Sequence, residues 1–134
     1  MQQLEKLKPL ALLLLRCALG GVFIYHGMPK LFGNPQQFLE FFGRVGLPPF
    51  MAYVAGVLEL FGGALLVAGL FTRVAGLLLA GEMAVAIWKV HMGKGVLAVN
   101  EYEFPLALAT AAFVLATVGA GAISLDRVIF KEKA

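Results

Sequence analysis

Three ionisable residues interrupt apolar stretches that are each long enough to form a membrane helix. They are Arg16, Glu59 and Glu82, and each lies in a different apolar stretch of this 134-residue chain. A charge at the centre of a membrane helix costs roughly 2.5 to 3.5 kcal/mol on insertion scales, so such groups pair with one another or face an enclosed cavity. These three residues are therefore the first candidates for a buried polar, ligand-binding site.

The three residues can form one layer only if they lie at similar depths and on inward faces. Counted from one set of helix ends at ~1.5 Å per residue, Arg16 lies roughly 10 Å deep, Glu82 roughly 13 Å and Glu59 roughly 18 Å. Glu59 also falls on a stripe of small residues at helical spacing, a pattern typical of a face that packs against other helices. The members of this stripe are Ala52, Ala55, Gly56, Gly62 and Gly63. The sequence thus predicts one Arg/Glu/Glu layer inside the first three helices.

The charges of this predicted layer do not balance. One guanidinium faces two carboxylates, and an unbalanced charge is expensive in a low-dielectric interior. Either one glutamate carries a proton, or a cation, a ligand or Lys89 completes the balance. Two interpretations remain open: an ion-pair network that fixes the register of the helices, or a site for a ligand or a proton.

A second group of polar residues is expected near the opposite membrane face. His26 and Lys30 end the first apolar stretch one helical turn apart, and Lys89 and His91 end the third. Neither HxxxH nor ExxH spacing occurs, so we predict no metal site. The four residues are either ordinary interfacial residues or a secondary polar site for a quinone headgroup or an anion.

The composition predicts an all-α membrane protein. Hydrophobic residues make up 60% of the chain and charged residues 14%, whereas an average soluble domain has about 25% charged residues. The length suits one domain, residues 1–134, built as a bundle of four transmembrane helices of ~20 residues each. The predicted spans are about 9–28, 50–71, 74–90 and 104–123.

A short amphipathic helix is predicted between the first two spans, at about 34–46. Phenylalanines there alternate with glutamines and charged residues. This pattern is typical of a helix that lies in the membrane interface. The alternative is a lid over a cavity between the helices.

The basic residues are spread over the loops of a chain whose net charge is +3. They form no cluster that could follow a phosphate backbone, so we expect no binding to nucleic acid. Six of them flank one membrane face and four the other, and this bias predicts that both termini are cytoplasmic. The six are Lys6, Lys8, Arg73, Arg127, Lys131 and Lys133, and the four are Lys30, Arg44, Lys89 and Lys94.

Three motifs cover nearly the whole chain in a characteristic order: LLLLRCALGGVFIYHGMPKLFG, VAGVLELFGGALLVAGLFTRVAGLLLAGEMAVAI and GAGAISLDRVIF. Together they resemble the DoxX family of small four-helix bacterial inner-membrane proteins. The resemblance implies a membrane subunit linked to redox chemistry, because one branch resembles a subunit of thiosulfate:quinone oxidoreductase and others are associated with redox-stress complexes. The family pattern falls on Arg16, Gly21, His26, Gly27, Lys30, Glu59, Gly62, Gly63, Thr72, Arg73, Ser124 and Asp126.

The function implied by the resemblance is that of a DoxX-like integral subunit of a redox-linked membrane complex. The chain has one cysteine and no motif for attaching haem, flavin or an iron–sulfur cluster. Any redox cofactor would therefore be a bound quinone or belong to a partner, and we do not expect catalysis by this chain alone. The expected partners are the lipid bilayer and other membrane protein subunits. Two alternatives remain: an accessory subunit for assembly or structure, and a small-molecule binder or transporter with a cavity around Glu59 and Glu82.

Overall fold

The described part of the chain is helical, as the composition predicts. The structure, a computed structural model, describes residues 1–91, 95 and 97–131, and for His91 the backbone only. A π-helical turn, Pro29–Gly33, continues α2, a second one, Ile87–His91, continues α5, and a 3-10 turn, Val99–Glu101, precedes α6. The α-helices are α1 (Gln2–Glu5), α2 (Lys8–Met28), α3 (Pro35–Arg44), α4 (Met51–Ala68), α5 (Thr72–Ala86), α6 (Glu103–Val118) and α7 (Leu125–Phe130).

Among the described residues, two helices are long and apolar enough to cross a membrane by length and composition. They are α2 together with its π-helical continuation, which span 26 residues, and α4, which spans 18. The α-helical parts of α5 and α6 are shorter, at 15 and 16 residues. Two of the four predicted spans thus meet this test, and the count of four stays a prediction.

Two predicted helix ends differ from the structure for identifiable reasons. The first helix continues past Pro29, because the backbone widens there into a π-helical turn in which the N–H of Asn34 donates to the carbonyl of Pro29 at 2.9 Å. The predicted fourth span ends early, at Val118, because Gly119 and Gly121 adopt φ angles of +92° and +88°. Such angles are readily accessible to glycine and end the α-helix.

The stripe of small residues on α4 packs directly against α2, as predicted. A Cβ atom added to Gly20 would lie 2.5 Å from the carbonyl oxygen of Gly63, and one added to Gly63 would lie 2.6 Å from that of Gly20. Two turns away, a Cβ on Gly27 would lie 2.9 Å from the oxygen of Gly56. The glycines pair in opposite order along the two helices, so α2 and α4 are antiparallel with their backbones in contact.

The second pair of long helices, α5 and α6, is also antiparallel and closely packed. A Cβ on Gly76 would lie 2.7 Å from the carbonyl oxygen of Ala112. At the start of α5, the guanidinium of Arg73 donates to the last carbonyls of α6, including that of Val118 at 3.2 Å. A cation at this position complements the C-terminal end of the α6 dipole. Helix α4 packs on α5 and α2 packs on α6, so the four helices surround one apolar core.

Candidate ligand-binding site

A cavity of about 450 Å³ lies between the described helices, at the end that is away from the chain termini. Its walls are the last turns of α2, the middle of α4, the end of α5 and the start of α6, and α3 lies over it. The lining combines several phenylalanines with six polar side chains, namely His26, Lys30, Gln37, Arg44, Glu59 and Glu82. A mainly apolar cavity with a few convergent polar groups is typical of small-molecule sites.

Helix α3 lies over the cavity, which agrees with the alternative interpretation of the amphipathic segment as a lid. Residues Pro35–Arg44 form the helix, close to the predicted 34–46. Phe38, Phe41 and Phe42 contribute to the cavity wall. Gln37 and Arg44 line it as well, and neither is among the predicted site residues. The signal that could have identified them is the strong amphipathic pattern of this segment, once it is placed over a cavity.

Lys30 and Glu59 form an ion pair inside this cavity. The Nζ atom of Lys30 lies 2.9 Å from Oε1 of Glu59, and the two side chains are 12% and 4% exposed. The same ammonium donates to the carbonyl of His26 at 3.1 Å and lies 5.1 Å from the centre of the Phe38 ring. Gly56 allows this approach, because a Cβ there would lie 2.9 Å from the Cβ of Lys30. The pair joins the π-helical turn after α2 to the middle of α4.

Glu82 is the second carboxyl of the cavity, and one of its oxygens has no partner among the described residues. Its Oε1 atom is buried and accepts no hydrogen bond there. The carboxyl lies within hydrogen-bonding distance of the Glu59 carboxyl and within electrostatic reach of Lys30. Two carboxyls can share a hydrogen bond only when one of them carries a proton. Glu82 also lines a second cavity of about 240 Å³, which lies beneath Phe41 and Phe42. Few buried polar atoms lack a protein partner, and this oxygen can form a hydrogen bond to a ligand in the cavity.

His26 lines the same cavity from the last turns of α2. Its Nδ1 atom lies 2.8 Å from the carbonyl oxygen of Val22, which can only accept a hydrogen bond. The proton is therefore on Nδ1, and in the neutral imidazole Nε2 carries a lone pair. The ring lies 6.1 Å from that of Phe104 between centroids.

The structure does not bring Arg16 into this group, so the predicted Arg/Glu/Glu layer is wrong in this respect. Glu59 lies beside Gly27, since a Cβ on that glycine would lie 3.1 Å from the Cβ of Glu59. Gly27 is eleven residues from Arg16 on the same helix, which corresponds to ~16 Å along its axis. The predicted depths were wrong because they were counted as if all helices began at the same level. Helix α2 begins about two turns, or ~12 Å, before the level at which α4 ends and α5 begins.

Arg16 instead belongs to a second polar group at the other end of α4, which we call the C-terminal cluster (Arg16, Gly69, Thr72, Ser124 and Asp126). Arg16 is 1% exposed and its Nη2 atom donates to the carbonyl of Ile123. Its Nη1 atom occupies the space of a side chain at Gly69, because a Cβ there would lie 1.7 Å away.

Asp126 holds the turn between α4 and α5 in this cluster. Its carboxylate accepts from the backbone N–H groups of Phe71 and Thr72 at 2.7 and 2.9 Å, so α7 supplies an N-cap to α5. Its own N–H donates to the carbonyl of Gly69 at 2.8 Å. Ser124 in turn caps α7, since its Oγ accepts from the N–H of Arg127 at 3.2 Å. Only the family resemblance had indicated Thr72, Ser124 and Asp126.

The predicted secondary polar site is divided in the structure. His26 and Lys30 join Glu59 and Glu82 around the main cavity. Lys89 is not part of that lining, and its Nζ atom lies 4.4 Å from the centre of the Trp88 ring. The side chain of His91 lies outside the described residues. The cation that pairs with Glu59 in the cavity is therefore Lys30, and the predicted candidate Lys89 lies outside the lining.

Comparison with known families identifies the chain. The model of the DoxX family matches residues 11–92, which include the whole of α2 beyond its first turn, α3, α4 and α5. The chain belongs to the DoxX family. This DoxX protein is also similar over most of its length to curated proteins of three bacteria.

The relative named putative oxidoreductase CatD, from Bacillus subtilis, is 39% identical over 121 residues, covering 90% of this DoxX chain and 88% of CatD. An uncharacterized protein of Haemophilus influenzae is 40% identical, over 98% of this chain and 100% of its own. Inner membrane protein YqjF of Escherichia coli is 30% identical, over 96% of this chain and 99% of its own. No solved structure matches the chain. The family and the inner-membrane relatives support a location in the inner membrane, with the lipid bilayer as a partner.

Proposed function

We propose that this DoxX protein is an integral subunit of a redox-linked membrane complex and that its cavity under α3 binds a quinone or a similar lipid-like ligand. The observation that carries this proposal is the unpartnered Oε1 of Glu82 in an apolar cavity of about 450 Å³. The volume is within the range of small-ligand sites, ~300 to 1,000 Å³. The name of the relative CatD, putative oxidoreductase, supports the redox link.

The lining fits the headgroup of a quinone. Phe38 and Phe104 provide aromatic walls, and Lys30 provides a cation already placed by its pair with Glu59. The ammonium of Lys30 has three N–H groups and donates to Glu59 and to the His26 carbonyl, so one N–H remains for an oxygen of the ligand. A bound quinone would supply the electron-accepting chemistry, while this chain would bind and orient its ring. Electron transfer in the complex is then the task of a partner subunit.

The proposed topology has four membrane-crossing helices with both termini in the cytoplasm. Helices α2 and α4 already meet the length test, and α5 continues through its π-helical turn to His91. The cavity lies at the end of the helices away from the termini, so it would face the outer half of the membrane. The excess of basic residues near the termini supports this orientation.

The small-residue stripe gives less support to the alternative of an assembly factor that docks through this face. Gly56 and Gly63 on α4 are already occupied by Lys30 and Gly20 of the same chain. A docking role would need a different surface, whereas the cavity is an open feature of the fold. We therefore propose ligand binding as the primary role.

The test is to purify the protein in native lipid nanodiscs and to quantify the quinone that is retained per protein. The matched pair of variants is Ala86→Phe and Ala84→Phe. Ala86 lines both cavities, so a phenyl ring there fills part of the site, whereas Ala84 is exposed on the outside of the same helix. We expect the quinone content to fall for Ala86→Phe and to remain at the wild-type level for Ala84→Phe.

Two results would contradict the proposal. One is quinone content in the wild type no higher than that of lipid nanodiscs prepared around an unrelated membrane protein. The other is an equal loss in both variants, which would place the effect outside the cavity. Thermal unfolding of each variant in the same nanodiscs controls for loss of the fold.

A further inference from the structure

The second cavity, of about 240 Å³, is almost entirely apolar, in contrast to the main cavity. Glu82 is the only ionisable or polar side chain among the residues that line it. A buried water needs about two to four polar partners, so this space does not suit water. Its volume is also below the ~300 to 1,000 Å³ of typical small-molecule sites. The occupant that fits is an apolar chain that belongs to a larger molecule.

The two cavities are neighbours that share part of their lining. The polar residues His26, Lys30, Gln37, Arg44 and Glu59 line the main cavity alone. The residues that line both cavities are Phe41, Phe42, Glu82, Ala86 and Val90. Polar and apolar surfaces are therefore separated between two adjoining spaces.

The boundary between the cavities is a row of residues along α5 and its π-helical continuation. Glu82, Ala86 and Val90 are four residues apart, so they lie on one side of the helix, one above the other. Gly81, on one side of this row, lines only the second cavity, and Met83, on the other side, lines only the main cavity. The two cavities thus lie side by side around α5.

The second cavity lies in the groove between α4 and α5, under α3. Among the described residues, none of α2 or α6 lines it. The two helices are in contact nearer the chain termini, where a Cβ on Gly62 would lie 3.2 Å from the Leu79 side chain. Beyond that contact, Val54 and Val85 of the cavity wall are 46% and 44% exposed. The groove therefore reaches the outer surface of the bundle, which faces lipid tails in the proposed topology.

We infer that the second cavity holds the apolar tail of the ligand whose polar ring lies in the main cavity. This inference rests on the proposed function, because it assigns the second cavity to the same quinone-like ligand. The ring lies beside the ion pair of Lys30 and Glu59, and the tail crosses the boundary row and runs between α4 and α5 toward the lipid. The ligand class is then a quinone with an isoprenoid or alkyl tail.

The tail contributes to specificity more than to affinity. Within a bilayer, the tail leaves one apolar environment for another, so little hydrophobic free energy is gained. Removing the tail is therefore a weak test of the second cavity. Filling the cavity is a strong test, because a side chain and a tail cannot occupy the same space.

The variants compared are Gly81→Phe and Gly21→Phe, which make the same change in two helices. Both glycines are exposed, and a Cβ at either one would meet no atom within 4 Å. Gly81 lines the second cavity, whereas Gly21 lines neither cavity. Only the phenyl ring at position 81 therefore competes for the second cavity.

The probes are decylubiquinone and ubiquinone-0, which have the same ring with and without an alkyl tail. Dissociation constants are measured in nanodiscs at one lipid-to-protein ratio, with protein-free nanodiscs as the blank, so that partition into lipid is equal for all variants. We expect Gly81→Phe to weaken decylubiquinone binding at least about tenfold, within the range of overpacking effects. Ubiquinone-0 should bind to it as to the wild type, and Gly21→Phe should bind both probes normally.

The outcomes separate this inference from the function on which it rests, with thermal unfolding in the same nanodiscs as the control for the fold. If neither probe binds to folded wild-type protein, the proposed quinone site is wrong, and the tail assignment with it. If both bind and Gly81→Phe weakens neither, the site stands and the tail assignment is wrong, as expected if a phospholipid chain fills the second cavity. An equal weakening of both probes in Gly81→Phe, or an equal loss in Gly21→Phe, contradicts the separation of ring and tail.

Discussion

Replacing Gly20 by alanine should destabilise the protein, because the backbones of α2 and α4 are in contact there. The added Cβ would lie 2.5 Å from the carbonyl oxygen of Gly63 and 2.7 Å from a methyl carbon of Val67. Neither distance is possible for real atoms, and the oxygen is part of a helix backbone that does not rotate away. The two helices must therefore move apart at this crossing.

The size of the destabilisation follows from how much closer than normal contact the added Cβ would lie. Carbon atoms are in optimal contact at ~3.5 to 4.0 Å, so the helices would have to separate by ~1 Å at Gly20. A gap of ~0.5 to 1 Å forfeits a quarter to a half of the dispersion energy of each affected contact. Overpacking of this kind costs about 1 to 3 kcal/mol in well-packed cores. We expect a loss in this range in the free energy of unfolding.

The neighbouring residue provides the matched control. A Cβ on Gly21 would meet no atom within 4 Å. Alanine is favoured over glycine within a helix by about 1 kcal/mol, so Gly21→Ala should be neutral or stabilising. The assay is equilibrium unfolding in a mixed micelle titrated with sodium dodecyl sulfate and followed by circular dichroism. Equal stability of the two variants would refute the close crossing of α2 and α4.

Other predictions concern the ion pair and the C-terminal cluster, with the same unfolding assay. Lys30→Met should cost about 3 to 5 kcal/mol, since it leaves Glu59 buried without its cation. Adding Glu59→Gln to that variant should restore much of the loss, and no recovery in the double variant would show that the pair is not coupled. Asp126→Ala should cost about 1 to 3 kcal/mol because two backbone N–H groups at the start of α5 lose their acceptor. Arg127→Ala on the same helix should have little effect, and an equal loss in both variants would contradict the capping role of Asp126.

Residue patterns along a single helix proved to be reliable guides to packing. The small-residue stripe of α4 was predicted to face another helix, and Gly56 and Gly63 do contact α2 and its continuation. This prediction succeeds because the spacing of side chains around a helix is fixed by its geometry. It requires no knowledge of where the neighbouring helix begins.

Depth, in contrast, could not be predicted from helix starts alone. The estimate for Arg16 assumed that all helices begin at the same level, but α2 begins before the level of Gly69 at the end of α4. The relative shift of two helices is set by contacts between them, such as Gly20 with Gly63. The same reason explains why Lys30, and not Arg16, became the partner of Glu59.

The cavity was predictable only in part, because its lid and its floor come from distant segments. The two glutamates indicated a buried polar site, and the amphipathic segment allowed a lid as one interpretation. What the sequence could not provide was the π-helical turn at Pro29–Gly33, which continues α2 past a proline. That turn carries Lys30 to the level of Glu59, where the ion pair forms.

The separation of the buried charges into two groups gives each group a distinct consequence. In the C-terminal cluster, the side chains bond to backbone atoms of two other segments: Arg16 donates to the carbonyl of Ile123, and Asp126 accepts from the N–H groups that begin α5. Such contacts fix the chain ends to the helices.

In the cavity, Lys30 satisfies Glu59, and Glu82 retains an unpartnered oxygen among the described residues. Removing Arg16 from the count still leaves one carboxyl of the predicted layer without a cation, because Lys30 replaces Arg16 one for one. That carboxyl is Glu82, which lines both cavities and can form a hydrogen bond to a ligand there.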